Sequence, residues 1–155
     1  MRFCRSLLFG AVALVSASVS VAQATKPAIV HFSTSNVIIR THRGVQRFVV
    51  EVARSPEEQE RGLMYRTRIA PHTGMIFPMS PPHTVAFWMK NCPIPEDMIF
   101  VSTDGRIESI AQNTKPNSEI PIASGGSVIA VLEVAGGETA KLGIKPGDKV
   151  EWARQ

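Results

Sequence analysis

The chain has 155 residues, with 17 Lys and Arg against 13 Asp and Glu and a formal net charge of +4. Arg2 and Arg5 belong to an N-terminal leader, and without them the balance is 15 against 13, or +2. So weak an excess argues against a nucleic-acid or acidic-membrane partner, and the length left suits one domain with one core.

The leader has three parts. Met1-Arg2-Phe3-Cys4-Arg5 is basic, Leu7 to Val15 is apolar, and Ala22-Gln23-Ala24 has the small-x-small form of a cleavage site. Residues 1–24 therefore read as a secretory signal cut after Ala22 or Ala24, too short for a membrane span. The expected product is periplasmic or secreted, monomeric, and without a transmembrane segment. Of the two cysteines, Cys4 leaves with the signal and Cys92 stays alone. It cannot form an internal disulfide and is expected to pack as a small apolar residue.

In chain order, Asn36 to Arg40 and Val45 to Ala53 read as strands joined by the turn Thr41-His42-Arg43-Gly44. Ser55-Pro56-Glu57-Glu58 carries a helix N-cap, a proline suited to the first turn and a capping-box glutamate, which predicts a helix over about 56–66. Pro71 to Gly74 breaks the chain, Met75-Ile76-Phe77 is a short strand, and Pro78 to Pro82 reads as an irregular loop. Thr84 to Met89 and Met98 to Val101 are strand-like and flank a polar insert. Arg106 to Ala111 alternates like a hairpin partner, and Gln112 to Gly126 is a long polar loop. Ser127 to Val134 is a buried strand, Glu138 to Leu142 a single helical turn, and Lys149 to Trp152 a last strand. The sum is a mainly β fold, a small antiparallel β-sandwich or barrel with one short α-helix.

Five segments in order resemble the DUF192 family of exported bacterial and archaeal domains. They are Arg61-Gly62-Leu63-Met64 with Arg66, Gly74-Met75-Ile76-Phe77, and Phe87-Trp88-Met89-Lys90-Asn91 with Ile94-Pro95 and Asp97. Val131-Leu132-Glu133 follows, then Gly143-Ile144 with Gly147-Asp148 and Val150. The resemblance runs from about Val45 to Trp152 and implies a small β fold; it implies no enzyme, substrate or cofactor. Cys92 and Glu96 depart from the family pattern, which usually has threonine and an apolar residue there.

The insert between the two strands is stiff, because Pro93 and Pro95 hold Cys92 and Ile94 extended. Lys90 and Asp97 bracket it and are expected to approach each other. A polar cluster of Arg61, Lys90, Asn91, Asp97 and Glu133 is the candidate ligand-binding site, with a purely structural corner as the competing reading. Glu96 and Asp97, as neighbours on a strand, point to opposite faces and do not form an acid–base pair.

The remaining chemistry is weaker. Met64, Met75, Met79, Met89 and Met98, with His72, His83 and Cys92, form a conceivable Cu(I) set. They lack tight ligand spacing, and core filling explains the methionines better. His31, His42, His72 and His83 are scattered, so no metal or cofactor is expected. The favoured function is a binding or accessory module for a small molecule or protein. The alternative is a small hydrolase or transferase using the Lys90 and Asp97 region.

Overall fold

The expected hairpin forms from β1 (Ser33–Thr41) and β2 (Gly44–Val52), paired antiparallel with Val37 opposite Phe48. In the computed structural model, residues 31–153 are described; the leader expected at 1–24 lies outside them. Alternation sends Phe48, Val50 and Val52 inward and leaves Val49 exposed, as a strand with one buried face requires.

Helix α1 (Pro56–Arg61) begins as its sequence dictates. The Ser55 hydroxyl accepts from the Glu58 amide at 3.2 Å, and the Glu58 carboxylate accepts from the Ser55 amide at 2.9 Å. This reciprocal capping satisfies amides that a helix start leaves bare. The helix stops at Arg61, five residues before the expected end near residue 66, because Gly62 turns to a φ of 45°.

Two further expectations are corrected in the next segment. Strand β3 (Thr73–His83) runs through the prolines expected to make a loop, with a register shift between Pro78 and His83. Bulged positions tolerate residues that lack an amide donor. β3 also pairs with β2 in parallel, so the sheet is not wholly antiparallel, and the segment containing α1 is the crossover that such a pair needs.

The remaining elements are β4 (Ala86–Phe87), β5 (Glu96–Ser102), β6 (Ile107–Ala111), β7 (Ile122–Ala123), β8 (Val128–Ala135), α2 (Glu138–Leu142) and β9 (Lys149–Trp152). The expected strand over Thr84 to Met89 shrinks to β4, which pairs with β7 from within the long polar loop. The main sheet has the order β6-β5-β8-β3-β2-β1-β9. It curls into a half-barrel whose ends meet through a bridge between Arg106 and Lys149. Amide donation from Ile107 to the Asp148 carbonyl and from Val150 to that of Gly105, each 2.9 Å, strengthens the contact.

Both faces of the sheet are covered. The concave face packs Val37, Ile39, Phe48, Val50, Ile76, Ile99, Leu132 and Val150. The convex face packs Met75, Phe77, Met98, Phe100 and Val131 beneath Leu63, Met89 and Cys92. The mostly β reading with one clear helix therefore holds, with α2 as a second short helix. Among the described residues, no helix is long and apolar enough to cross a membrane.

Candidate functional site

Strand pairing sets the site. Met75, Glu133 and Met98 stand abreast on β3, β8 and β5, and Phe77, Val131 and Phe100 repeat the arrangement two residues along. Period-two alternation puts all six side chains, and that of Glu96, on the convex face. Glu133 is thus a carboxyl within an otherwise apolar and sulfur-bearing layer. Gly74 lets β3 approach β8 there, since a Cβ at Gly74 would lie 2.0 Å from the Glu133 carbonyl oxygen.

The double-proline strap lies over this layer. The Tyr65 amide donates to the Asn91 carbonyl (2.7 Å), Met89 to Ser118 (2.8 Å), Asn117 to Cys92 (3.0 Å) and Gly136 to Pro95 (3.0 Å). Fastened along its length, the strap holds Cys92 inward, buried and without a disulfide. Between strap, α1, β4 and the sheet lies a cavity of about 350 Å³. Phe77, Phe87, Trp88, Leu63, Met64 and Met79 wall it, Glu133 and Cys92 lie in its lining, and Arg61, Lys90, Glu60 and His83 complete it. Phe77 and Phe87 meet edge to face with centroids 5.1 Å apart. A second depression of about 520 Å³ shares Arg61, Met64, Trp88 and Lys90 with it and continues past Tyr65 and Asn91.

The expected site residues divide. Arg61, Lys90 and Glu133 line the cavity, and Asn91 lines the adjoining depression. Asp97 does not join them. It points to the concave face and accepts from the amides of Asn113 (2.8 Å), Gly137 (2.9 Å) and Thr139 (2.9 Å) and from the Thr139 hydroxyl (2.6 Å). The expected approach of Lys90 to Asp97 is therefore corrected. Lys90 lies over the Trp88 ring at 5.1 Å and 4.0 Å from Glu119, while Asp97 ties the start of α2 to the loop after β6. Arg61 is stacked over Tyr65 at 4.7 Å, and Arg66 is paired with Glu51.

Sequence reasoning missed Glu96, which shares the convex layer with Glu133. It is 1 % exposed, and neither carboxylate oxygen has a hydrogen-bond partner. Glu133, 4 % exposed, likewise makes no hydrogen bond or ion pair among the described residues. Burial pushes Glu96 up to about 7, against opposing pulls from the adjacent Cys92 thiol and from Arg66. Burial, and then the charge of Glu96, push Glu133 well above the usual carboxyl range. The Cys92 thiol is pushed up to about 12, by burial first and then by Glu96 and Glu133, so it is no ready nucleophile. The signal that could have found the pair is a carboxyl within each of two strands whose remaining residues bury an apolar face.

The sulfurs serve packing. Met75, Met89 and Met98 are fully buried, the Thr114 hydroxyl donates to the Met89 sulfur at 3.0 Å, and the Asn91 amide reaches the Met64 sulfur at 3.7 Å. His72 stacks against Phe48, a residue of the concave core. Among the described residues, no group of three His, Cys, Asp or Glu side chains is arranged to hold a metal ion.

The family model for DUF192, described as "Uncharacterized ACR, COG1430", matches residues 37–152. A crystal structure of a protein of unknown function from Novosphingobium aromaticivorans is 44% identical with a TM-score of 0.78, over 86% of this chain and 94% of that one. A Sinorhizobium meliloti structure, described as a candidate transcription regulator, is 39% identical with a TM-score of 0.77, over 81% of this chain and 98% of that one. The comparison with curated proteins gives no match. With four-fifths or more of its length aligned to these structures and the family model running from within β1 to the end of β9, the chain belongs to the DUF192 family.

Proposed function

We propose that the chain is an exported binding module that holds a small organic molecule in the cavity between α1, β4, the strap and β8. The observation that carries this reading is Glu133. A carboxyl buried to this degree, in the wall of a cavity and without a partner, costs stability in the empty protein. A guest that satisfies it removes that cost. The cavity, at about 350 Å³, falls within the ~300–1,000 Å³ of small-molecule sites, and its lining sets an apolar and aromatic wall beside the polar side chains of Glu60, Arg61, His83, Lys90 and Glu133.

Export is supported by the leader alone, through the basic, apolar and small-x-small pattern of residues 1–24. Mass spectrometry of the protein from fractionated cells tests it. The expected periplasmic species begins after Ala22 or Ala24, and an unprocessed cytoplasmic chain refutes export.

Binding is tested by ligand-observed NMR against a library of small aromatic and aliphatic fragments. Ala86, exposed and in the cavity lining, is replaced by Trp to fill the cavity. Fragments that bind the natural chain and not Ala86→Trp support the reading. Equal binding to both proteins, or none to either, defeats it.

A further inference from the structure

Resting on that cavity reading, we propose that its guest is an organic amine, which enters with the ammonium group innermost and pairs with Glu133 against the aromatic wall. Glu133 is in the cavity lining, and Glu96 shares its face of the sheet. Glu133 and Glu96 are both buried; among the described residues Glu133 has no hydrogen-bond partner, and Glu96 has the Cys92 thiol alone beside it. The cations nearby are engaged elsewhere. Arg66 is paired with Glu51, Arg61 lies over Tyr65, and Lys90 lies over Trp88 towards Glu119. Among the described residues, the buried carboxyls therefore have a thiol beside them and no cation in an ion pair with them.

Each class of guest meets this lining differently. An anion sets its charge beside two buried carboxyl groups whose own ionisation burial already opposes. A neutral alcohol offers Glu133 one donor and no charge. A primary ammonium offers three donors and the missing charge. Phe77 and Phe87 add aromatic surface that attracts a cation, and with Trp88 they cover the apolar body behind it. Arg61 and Lys90 in the same lining disfavour a second positive charge, so a monoamine fits better than a diamine.

Isothermal titration of the full chain at pH 7.5 with phenethylamine, 2-phenylethanol and phenylacetate separates these cases. The three share an aromatic body and differ in the charge at its end. Phenethylammonium is expected to bind about tenfold tighter than the alcohol, with phenylacetate weakest. Glu133→Gln is expected to reduce the tenfold preference to within about threefold. If Glu133→Gln does not fold, Glu133→Asp takes its place. Shortening the carboxyl arm is expected to weaken the ammonium about fivefold and to change the alcohol by less than about twofold.

If the alcohol or the acid binds the natural chain as tightly as the ammonium, the amine is wrong and the cavity reading survives. Preference kept in the Glu133 variant also overturns the amine. If no probe binds, or if all bind Ala86→Trp unchanged, the cavity reading fails and the amine with it.

Discussion

Glu96 and Asp97 are neighbours on β5, are 1 % and 0 % exposed, and lead opposite lives. Asp97 faces the concave side and receives four donors from the loop after β6 and the start of α2. Glu96 faces the convex side with Glu133 and receives none. Burial alone therefore does not mark a functional carboxyl; what separates the two is whether the fold supplies the donors. Where it does, the carboxylate is a structural fastener. Where it does not, the group carries the cost of its burial.

The sharpest way to break this contrast is Asp97→Asn. The amide cannot accept from all four donors, and three backbone N–H groups compete for what acceptor capacity is left. A loss of roughly 3–5 kcal/mol in urea unfolding is expected, with the affinity of the folded fraction for a cavity ligand unchanged. An unmoved unfolding midpoint would remove the fastener role.

Glu96→Gln has the opposite sign. The native group titrates near 7, against 4.5 in its ordinary state. A carboxyl with a raised native pKa contributes stability that is whole below 4.5 and is lost as pH rises through about 7. That interval corresponds to about 3 kcal/mol at about 1.4 per pH unit. Thermal unfolding should therefore find Glu96→Gln near the natural chain at pH 4 and more stable by up to about 3 kcal/mol at pH 8. Glu133→Gln is expected to act in the same direction. A Glu96→Gln protein equally destabilised at both pH values would mean that Glu96 has partners like those of Asp97.

Gly136 lies between the two environments, at the junction of β8 with the strap. A Cβ there would fall 2.9 Å from both the Cβ and the carbonyl oxygen of Pro95. Gly136→Ala must displace that backbone, at a cost of roughly 1–3 kcal/mol. The displacement should loosen Cys92 from its buried place and speed its alkylation by a maleimide. If the strap is unmoved, the alkylation rate will equal that of the natural chain.

How far this was legible in sequence follows from the range of each interaction. The Ser55–Glu58 cap and the turn at Thr41–Gly44 are made within a few residues, so composition and spacing revealed both. The donors to Asp97 come from positions 16 to 42 residues away, and local spacing pointed to Lys90 instead. Alternation along β5 puts Glu96 and Asp97 on opposite faces, which was legible from their being neighbours on a strand. It could not join Glu96 to Glu133, because that requires knowing that β5 pairs with β8. The parallel β2–β3 pair was hidden for the same reason. The prolines at 78, 81 and 82 argued for a loop on local grounds, and long-range pairing with β8 on either side of a bulge kept them within β3.

The smallest expected effect comes from Lys90, and it tests the contrast from outside the core. Lys90, half-buried, is 4.0 Å from the exposed Glu119, and its ammonium lies over the Trp88 ring. Such pairs contribute about 0–1 kcal/mol and weaken with salt. Lys90→Ala is expected to shift stability by less than about 0.5 kcal/mol in 0.15 M salt. Its effect on ligands has a direction set by charge. Removing a cation from the cavity lining should favour a positive guest and disfavour a negative one, modestly and more at low salt. Titrations of Lys90→Ala with phenethylamine and phenylacetate at two salt concentrations check that order. Tighter phenylacetate binding on losing Lys90 would place the anion's contact away from it and contradict the charge layout drawn from Arg61, Lys90 and Glu133.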